Sequence, residues 1–315
     1  NNGEKMKIGF IGLGRMGSNM VLNLIEKKNK IVAYNRTFGP VKQMKRKGAI
    51  PAYSLEELVK KLPSSKTTPK VIWIMIKAGK PVDMVIAKLI PLLNKGDIII
   101  DGGNSFYKDS IRRNKLLKKK GIHFLDCGTS GGMEGARNGA CMMVGGNKKV
   151  FNKVESLFRD MCTKNGYGYM GNAGAGHFVK MVHNGIEYGM MSALAEGFLA
   201  IEKHKPKFNT DLKEVSKVYA NGSIIAGKLS SWLWKSFKTK GYLDKISCTV
   251  PKGETEDEMK ELEGLADMPV LHQARLMRVK SRTAKTKTGK TKKNICGKLI
   301  AAMRNQFGGH KVIKK

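Results

Sequence analysis

The feature that most constrains the fold is a glycine turn between a strand-like segment and a helix-like segment. It reads Gly12-Leu13-Gly14-Arg15-Met16-Gly17. Lys7–Ile11 before it is a short apolar run, and residues 19–27 after it have helical spacing. A G-x-G-x-x-G turn allows a tight bend and close approach of the backbone to a pyrophosphate, whose charge lies at the helix N-terminus. The motif alone is weak in a chain with 36 glycines, but its position favours a dinucleotide-binding turn over a purely structural one.

Short apolar strands alternate with helical segments through the first half of the chain. Further strands are predicted at Lys30–Tyr34 and at residues 71–76, 97–101 and 123–125, with a helix at residues 109–120. Buried strands separated by helices are typical of a parallel sheet covered on both faces. From about Gly171 the pattern becomes helical, with helices predicted at residues 177–204, 211–218, 224–237 and 294–305.

The sequence therefore predicts an α/β protein with two domains. Residues 1–170 are expected to form a dinucleotide-binding domain, a Rossmann-type doubly wound parallel sheet, and residues 171–315 an all-α domain with a C-terminal tail. Residues 280–293 are rich in lysine and threonine, and we predict a mobile loop there.

The charge of the chain is unusual, since 59 lysines and arginines against 25 acidic residues leave a net charge of +34. Such a field attracts phosphorylated metabolites, nucleic acid or acidic membranes, although a merely solvated lysine-rich surface explains it equally well. No run reaches the roughly 18 apolar residues of a membrane span. The polar start is unlike a signal peptide, so a cytoplasmic location is expected. The five cysteines are scattered without a CxxC pair, so neither a disulfide framework nor a metal site is predicted.

The end of the second predicted strand indicates which cofactor would bind. An NAD enzyme places a carboxylate about 20 residues beyond the turn, where it holds the ribose 2′-hydroxyl. Here that stretch reads Asn35-Arg36-Thr37. Arg36 can pair with a 2′-phosphate through its fork of donors, and no carboxylate repels that phosphate. NADP is therefore favoured over NAD, with a surface arginine beside a turn as the alternative interpretation.

A polar stripe in an otherwise apolar helix marks the candidate catalytic site. At about 100° per residue, one face of the helix carries Lys180, His183, Asn184, Glu187 and Tyr188. Burial of such a stripe is costly unless its groups are hydrogen-bonded, so a structural network is the alternative. Lys180 and Glu187 are opposite titratable groups two turns apart, which suits general acid/base chemistry if burial and mutual charge tune their pKa values. His183 alone would more often be a satisfied helix histidine, and only its neighbours assign it to substrate binding.

A second candidate site follows the fifth predicted strand, where ligands bind beyond the carboxyl ends of strands. Gly128-Thr129-Ser130-Gly131-Gly132 spells the G-x-S-x-G nucleophile elbow of hydrolases. A serine hydrolase is disfavoured, because residues 133–140 lack the pattern of an amphipathic helix and no Asp-then-His order is compelling. Ser130, Gly131, Gly132 and the nearby N–H groups make a better cradle for a carboxylate or hydroxyl.

Together these motifs resemble the 6-phosphogluconate dehydrogenases, a family within the β-hydroxyacid dehydrogenases. The resemblance is carried by residues 9–17, 35–37, 100–105, 129–139 and 174–188, by Ile76-Lys77-Ala78-Gly79, and by Arg304-Asn305-Gln306-Phe307-Gly308-Gly309-His310. It covers most of residues 6–205 and the tail, and the length is similar to the short form of the family.

The resemblance implies a cytoplasmic, decarboxylating oxidoreductase of the pentose phosphate pathway and gluconate utilisation. Such an enzyme converts 6-phosphogluconate to ribulose 5-phosphate and CO2 with NADP. The helical domain would serve substrate binding and dimerisation, in a homodimer whose tail reaches into the partner subunit. A β-keto acid loses CO2 without a metal, so none is implied.

The resemblance also implies a role for each site residue. Lys180 would accept the C3 hydroxyl proton during hydride transfer and then polarise the carbonyl, and Glu187 would protonate C1 of the enediol. The cofactor would be bound by Gly12, Leu13, Gly14, Arg15, Met16, Gly17, Asn35, Arg36, Thr37, Ile76, Lys77, Ala78 and Asn104. The substrate hydroxyls and carboxylate would be held by Asn104, Ser130, Gly131, Gly132, His183 and Asn184, and the phosphate by Tyr188, Arg304 and His310.

The helical half departs from the family pattern. Short-form members carry an Asp-Ser-Gly-Glu-Gly-Arg-Trp-like stretch, and here that place reads Val250-Pro251-Lys252-Gly253-Glu254-Thr255-Glu256. Extra residues lie around positions 226–230, and a basic run after Arg282 replaces an acidic linker. Arg278 and Arg282 keep the spacing of a family R-x-x-x-R element that could meet phosphate.

Two other functions fit part of the sequence. A dehydrogenase or reductase of a small unphosphorylated β-hydroxy acid would suit the lysine, the asparagine and the cofactor loop. Glu187, Tyr188, Arg304 and His310 argue against it, because only a decarboxylating reaction on a phosphorylated substrate needs them. A basic nucleic-acid-binding protein on a dehydrogenase scaffold would explain the charge, but aromatic residues are only 7% and no base-stacking platform is visible. Neither a specific nucleic acid nor a membrane is expected as a partner.

Overall fold

An eight-stranded sheet with helices on both faces forms the first of two compact units, which ends at Lys180. This computed structural model describes residues 5–63, 68–283 and 295–314. The strands are β1 (Lys7–Ile11), β2 (Lys30–Tyr34), β3 (Ile50–Ala52), β4 (Val71–Ile74), β5 (Ile98–Asp101), β6 (His123–Ser130), β7 (Ala140–Gly146) and β8 (Cys162–Gly171). Their order is β3-β2-β1-β4-β5-β6-β7-β8. The predicted Rossmann-type doubly wound sheet is confirmed.

In the described part of this unit, helices follow the strands and cover the sheet. They are α1 (Arg15–Glu26), α2 (Phe38–Arg46), α3 (Leu55–Lys60), α4 (Lys80–Leu89), α5 (Tyr107–Lys118), α6 (Gly132–Asn138) and α7 (Lys148–Met161). A 3-10 helix, Ile90–Leu92, extends α4. The apolar strands read as continuous runs because alternate side chains enter two cores: in β4, Val71 and Trp73 face one core, and Ile72 and Ile74 face the other.

The far end of the sheet differs from the sequence-based expectation. Strand β6 continues to Ser130, beyond the predicted end at Leu125, and pairs antiparallel with β7. Strands β7 and β8, which pair in parallel, were not predicted. Only α6 and its flanking glycines join β6 to β7, and this link is shorter than the dozen or more residues that a parallel crossover needs. The short connection therefore reverses the chain direction.

Helices form the second unit, which begins at Met181. They are the main part of α8 (Ala175–Phe208), then α9 (Leu212–Tyr219), α10 (Lys228–Lys238), α11 (Glu256–Leu265), α12 (Pro269–Thr283) and α13 (Ile295–Gly308), with a 3-10 helix at Leu243–Lys245. Met191, Ala195 and Phe198 of α8 share a core with Leu299 and Met303 of α13, at the spacing of one helix face. None of the described helices is long and apolar enough to cross a membrane.

Two predictions for the helical half were wrong. The helix expected from residue 224 begins at Lys228, because Ile224 and Ile225 are exposed in a turn and Gly227 caps the helix. The mobile loop was predicted to start at residue 280, but residues 280–283 form the last turn of α12. The rest of that segment, and the predicted helix start at residue 294, lie outside the described residues. The compact units divide at residues 180 and 181, and the domain boundary at 170 and 171 stays a prediction.

The entry of α8 is held unusually close to the sheet. A Cβ on Gly176 would lie 2.4 Å from the carbonyl oxygen of Asp126 and 2.5 Å from that of Met143. A Cβ on Gly128 would lie 2.3 Å from Cβ of Lys180. The buried Asp126 carboxylate accepts hydrogen bonds from the backbone N–H groups of Gly174 (2.7 Å) and His177 (2.9 Å), which satisfies donors at the helix start. This contact sets the position from which α8 runs on.

We predict that Gly176→Ala lowers the free energy of unfolding by about 1–3 kcal/mol, because the new methyl group must displace the helix from two backbone carbonyls. The matched control is Gly197→Ala in the same helix, where a Cβ meets nothing within 4 Å. This control should be neutral or stabilising by up to about 1 kcal/mol, as alanine favours a helix over glycine. Urea unfolding of both variants measures the difference. Equal effects would contradict the close-contact argument.

Candidate functional site

Loops after five neighbouring strands meet at one edge of the sheet. Strands β2, β1, β4, β5 and β6 are adjacent and parallel, so their carboxyl ends share this edge. The predicted site residues that end or follow these strands are, in the same order, 35–37, 12–17, 76–78, 104 and 130–132. Doubly wound sheets bind their ligands beyond the carboxyl ends of the strands. This edge is therefore the candidate site of the first unit.

The glycine turn has room for a ligand beside Gly14 and almost none elsewhere. Gly12 has a φ of 102°, and a Cβ there would lie 2.2 Å from the Met75 carbonyl oxygen. A Cβ on Gly17 would lie 2.0 Å from the Gly12 carbonyl oxygen, whereas one on Gly14 would meet nothing within 4 Å. Gly14 caps α1 without a side-chain hydrogen bond, so no side chain competes there for the first N–H groups. The turn fits a pyrophosphate at a helix N-terminus.

Asn35 holds the glycine turn in place. Its Oδ1 accepts a hydrogen bond of 3.0 Å from the backbone N–H of Leu13, and its Nδ2 donates to Oγ1 of Thr37 at 2.9 Å. The Tyr34 carbonyl also accepts from the N–H of Gly12. These bonds tie the end of β2 to the turn after β1 and leave Arg36 exposed beside both. The role of Arg36 as a ligand of a 2′-phosphate stays a prediction.

One buried arginine connects the loops after β4 and β5. Arg113 donates through Nη1 to Oδ2 of Asp101 at 3.1 Å, through Nη2 to the Gly79 carbonyl at 3.1 Å, and through Nε to Asp83 at 2.8 Å. Asp101 also accepts from Ser105 Oγ at 2.7 Å. Burial alone would raise the pKa of Asp83, but its hydrogen bonds from Arg113 and Arg112 hold that pKa below its usual value. The loops carrying residues 76–78 and Asn104 are thus cross-linked.

His177 connects the loop after β5 to the start of α8. Its ring is buried, with Nε2 3.0 Å from the Gly103 carbonyl and Nδ1 2.7 Å from Ser110 Oγ. A carbonyl only accepts, so Nε2 carries a proton, and in the neutral ring Nδ1 accepts from the serine hydroxyl. The backbone next to Asn104 is therefore held against the helix that carries Lys180.

The segment after Ser130 corrects one prediction. Residues 133–140 lack the pattern of an amphipathic helix, yet α6 covers Gly132–Asn138. Gly131 at φ 113° and Gly132 at φ 62° permit the tight turn into this short helix, which a hydrophobicity pattern does not reveal. Ser130 is the last residue of β6 and is paired with Cys141 in the sheet. A cradle formed by this serine and the glycine N–H groups stays a prediction.

In the second unit, the polar stripe of α8 is partly buried. His183 Nδ1 lies 3.3 Å from Oδ1 of Asn184 and 4.0 Å from Oε2 of Glu187. Asn184 and Tyr188 are buried, while the side chains of His183 and Glu187 keep 36% and 23% of their exposure. Lys180, on the same stripe one turn earlier, is 9% exposed. Lys180 and Glu187 thus lie about two turns apart along α8, and their acid and base roles stay a prediction.

Two buried arginines lie next to this stripe in the second unit. The guanidinium carbon of Arg278 lies 3.2 Å from the ring centroid of Tyr188, whose hydroxyl is 3.0 Å from Oγ1 of Thr255. Among the described residues, Nε and Nη2 of Arg278 have no hydrogen-bond partner. Burial lowers the pKa of Arg278 to about 10, and that of Arg304 below its usual value. Buried cations with unused donors fit a bound anion.

The segment that departs from the family pattern encloses these arginines. Arg304 donates to the Pro251 carbonyl at 2.9 Å, and Arg282 donates to the Val250 carbonyl at 3.0 Å and to Glu256 at 2.6 Å. A Cβ on Gly253 would lie 2.8 Å from Nη2 of Arg304. His310 lies on the exposed tail, with its ring edge-on to Phe307. The altered residues 250–256 therefore still face the predicted phosphate ligands.

Family models match both units of the chain. Residues 7–171 match the NAD binding domain of 6-phosphogluconate dehydrogenase, and residues 176–205 match the C-terminal domain of that enzyme. The first match alone covers more than half of the chain. The chain belongs to the 6-phosphogluconate dehydrogenase family. The predicted family is therefore confirmed. Its members are nicotinamide-dependent dehydrogenases.

Several relatives align over the whole chain. The YqeC protein of Bacillus subtilis, provisionally named a 6-phosphogluconate dehydrogenase, is 43% identical over 98% of this chain and 100% of that protein. A Haloferax volcanii protein, named an NAD(+)-dependent decarboxylating 6-phosphogluconate dehydrogenase, is 34% identical over 98% of this chain and 99% of that protein. Longer curated relatives also match, and the chain spans 44–49% of their length.

A solved structure of the family supports the fold. Plasmodium falciparum 6-phosphogluconate dehydrogenase, solved in its apo form and in complex with NADP+ and with 6-phosphogluconate, matches with a TM-score of 0.78 and 33% identity. The match covers 87% of this chain and 61% of that one.

Arg113, His177 and Arg278 are the site-supporting residues that sequence reasoning missed or underrated. Arg113 follows Arg112 in a basic helix, and nothing in the sequence separates the buried arginine from the exposed one. His177 directly follows the glycines of the α8 entry, which was the available signal. Arg278 was singled out only through its R-x-x-x-R spacing with Arg282.

We predict that Arg113→Ala lowers the free energy of unfolding by about 3–5 kcal/mol, because Asp101 keeps a buried charge without its partner. Arg112→Ala is the matched control, since Arg112 also pairs with Asp83 but is 52% exposed, and it should cost about 1 kcal/mol or less. Calorimetric unfolding of the two variants at neutral pH gives the comparison. Similar losses in both would refute the role of Arg113 as a buried cross-link.

Proposed function

We propose that the chain oxidises 6-phosphogluconate with NADP and releases CO2, which gives ribulose 5-phosphate. The observation that carries this proposal is the polar stripe of α8, on which Lys180, Asn184, Glu187 and Tyr188 lie within about two turns. A reaction that needs a proton acceptor, a proton donor and a phosphate ligand uses all of these groups. Membership of the family supports this class of reaction.

Oxidation begins at the C3 hydroxyl of the substrate. A nicotinamide dinucleotide, when bound, supplies the acceptor for the hydride that leaves C3. Lys180 accepts the hydroxyl proton on Nζ, and a 3-keto acid results. The stem of Lys180 lies against Gly128 and the residue is 9% exposed, so few positions are open to its amine. Such a restriction would favour a fixed orientation of the base toward the reacting hydroxyl.

Decarboxylation requires an electron sink beside the carboxylate. The proton on Lys180 polarises the C3 carbonyl oxygen, the C1–C2 bond breaks, and its electron pair forms the C2–C3 double bond of an enediol. CO2 leaves in this step, and a β-keto acid needs no metal for it. Glu187 then donates a proton to the former C2, which becomes C1 of ribulose 5-phosphate, while Lys180 takes back the proton of the C3 hydroxyl and the keto group forms. His183, 4.0 Å from Glu187, helps to hold that carboxyl group.

The remaining site residues would bind the substrate and orient it. Asn104 and the cradle of Ser130, Gly131 and Gly132 would hold the carboxylate and hydroxyls, together with His183 and Asn184. Tyr188 and Arg304 would hold the phosphate, and we add Arg278 because its Nε and Nη2 lack partners among the described residues. We propose a homodimer in which His310 of the tail completes the phosphate site.

NADP is the proposed coenzyme on the basis of Asn35-Arg36-Thr37. No carboxylate stands in this stretch, and Arg36 is exposed beside the glycine turn. A guanidinium in this place favours a 2′-phosphate over a hydroxyl. The Haloferax volcanii relative is named NAD(+)-dependent, so the preference has to be measured in this chain.

The decisive experiment mixes the protein with 6-phosphogluconate and either NADP or NAD, while absorbance of the reduced coenzyme and released CO2 are recorded. We expect both products with NADP, and a loss of kcat of at least about 100-fold in Lys180→Met, because the general base is gone. Lys203→Met, an exposed change in the same helix, should keep full activity. No turnover in the wild type despite NADP binding would exclude the substrate, and faster turnover with NAD would exclude the coenzyme preference.

A second experiment tests the phosphate ligands. Arg278→Met replaces a buried cation by an apolar side chain of similar length, so the fold should survive. We expect KM for 6-phosphogluconate to rise at least about 30-fold, which corresponds to about 2 kcal/mol. Activity on unphosphorylated gluconate should stay at the wild-type level. Arg275→Met is the control, because Arg275 lies on the same helix as Arg278 and its ion pair is with Glu263 of α11. An unchanged KM in Arg278→Met would remove this arginine from the site.

A further inference from the structure

His177, at the start of α8, is a buried residue with no part in the chemistry proposed above. It is 2% exposed, and its backbone N–H donates to Oδ2 of Asp126 in β6 at 2.9 Å. Nδ1 of its ring lies 2.7 Å from Ser110 Oγ of α5, and Nε2 lies 3.0 Å from the carbonyl oxygen of Gly103 in the loop after β5. This one histidine therefore contacts three different elements of the first unit.

The hydrogen bond from the ring to Gly103 bears directly on the orientation of Asn104. The carbonyl of Gly103 and the N–H of Asn104 belong to one planar trans peptide group, so they point in opposite directions. Nε2 of His177 is the donor, because a carbonyl only accepts. A donor carried by α8 therefore sets the direction of the peptide that leads into Asn104.

Other contacts anchor this loop to the sheet. The N–H of Gly103 donates to Oδ1 of Asp101 at 3.2 Å, and Ser105 Oγ donates to Oδ2 of the same carboxylate at 2.7 Å. A Cβ on Gly103 would lie 3.0 Å from the Ile76 carbonyl oxygen, so the loop also packs on the segment after β4. The bond from His177 adds a tie to α8, the helix that carries Lys180.

Lys180 follows His177 by three residues, or about 4.5 Å along the helix axis. A Cβ on Gly128 would lie 2.3 Å from Cβ of Lys180, so the stem of the lysine is packed on β6. The histidine ring and the lysine stem are thus held within one turn of the same helix. The candidate base and the residue expected to contact coenzyme and substrate are joined through one hydrogen bond.

The polarity of His177 needs a reason, because an apolar side chain would fill a purely packed position without a demand for partners. A buried imidazole requires a partner for each nitrogen, and Gly103 and Ser110 supply them. Hydride and proton transfer require reacting groups at defined distances, and a displacement of about 1 Å can slow them about 100-fold. A directional bond between the two parts of a site meets this requirement better than packing does.

We propose that His177 is a positioning residue for the oxidation step, and that its hydrogen bond to the Gly103 carbonyl holds Asn104 in a fixed place relative to Lys180. This role rests on the proposed function, since Asn104 and Lys180 are assigned through it. The bond itself exists with or without substrate, so it can be measured separately from turnover.

NMR of the full chain, with 15N-labelled histidine rings and no added ligand, tests the hydrogen bond. The chain has six histidines, and the signal that disappears in His177→Gln identifies the ring of His177. We expect a proton on Nε2, as the acceptor at Gly103 requires. A proton on Nδ1 with a bare Nε2 would overturn the proposal, whatever substrate the protein uses.

Three variants test the positioning role in turnover of 6-phosphogluconate. His177→Leu removes the donor, and we expect kcat to fall at least about tenfold. His177→Gln keeps an N–H donor at a similar reach, and Ser110→Ala opens the same buried cluster without touching the Nε2 bond, so both should stay within about threefold of the wild type. Titration with NADPH counts the coenzyme-binding sites, and kcat is expressed per site, so a loss of folded protein alone leaves it unchanged.

Each result of these assays supports or overturns the role. An unchanged kcat per site in His177→Leu would remove it, and an equal loss in Ser110→Ala would show that packing of the cluster is what matters. A His177→Gln variant as slow as His177→Leu would also contradict the proposal, and this variant and the ring proton decide the question if His177→Leu does not fold. No turnover in the wild type would end the proposed function and this role together, whereas wild-type turnover with equal rates in the variants ends the role alone.

Discussion

The backbone contact between the first turn of α8 and strands β6 and β7 is the constraint on which the candidate chemistry depends. Gly128, Gly145 and Gly176 bring helix and sheet together with no side chain between them. The carboxylate of Asp126 completes the hydrogen bonding of the helix start, at a point where water has no access. A contact of this kind admits little adjustment, because its neighbours are backbone carbonyls. This contact at the start of α8 fixes the position of Lys180, one turn further along the helix.

At the carboxyl edge, buried polar side chains that are not expected to touch a ligand hydrogen-bond one loop to the next. Arg113 joins the loops after β4 and β5, and His177 joins the second of these loops to α8. The loops after β4 and β5, which carry residues 76–78 and Asn104, are therefore joined to each other and to the start of α8. Such supporting hydrogen bonds can hold the candidate catalytic and binding residues in position without involving their own functional groups. The cost is a set of buried charges whose partners must all be present.

Much of this arrangement could be predicted from the sequence. The glycine turn, the strands that run to it and the polar stripe of α8 each have a local signature, because period and turn chemistry act over few residues. Strand β8 lacks such a signature, since glycines and polar residues interrupt it. The apolar run of β7 is short and bounded by glycines, which is also a weak signal. The burial of Arg113 and Arg278 was equally hidden, because burial of a lone arginine is decided by tertiary contacts that composition does not show.

The reversal of the chain at β7 has a consequence for how the family can vary. Gly171 at the end of β8 pairs with Gly145, and Gly145 pairs with Asp126 in the middle of β6. Helix α8 therefore starts level with the middle of β6, and its first turn runs toward the carboxyl edge of the sheet. The helix advances about 6 Å from Gly176 to Lys180, which is similar to the length of the two strand residues from Asp126 to Gly128. Gly176 therefore contacts Asp126, and Lys180 contacts Gly128. One residue inserted into this turn would rotate Lys180 by about 100° around the helix axis, although every residue of the motif would still be present. A substitution at Val179 keeps the length of this turn, whereas an insertion or deletion would move Lys180 away from Gly128.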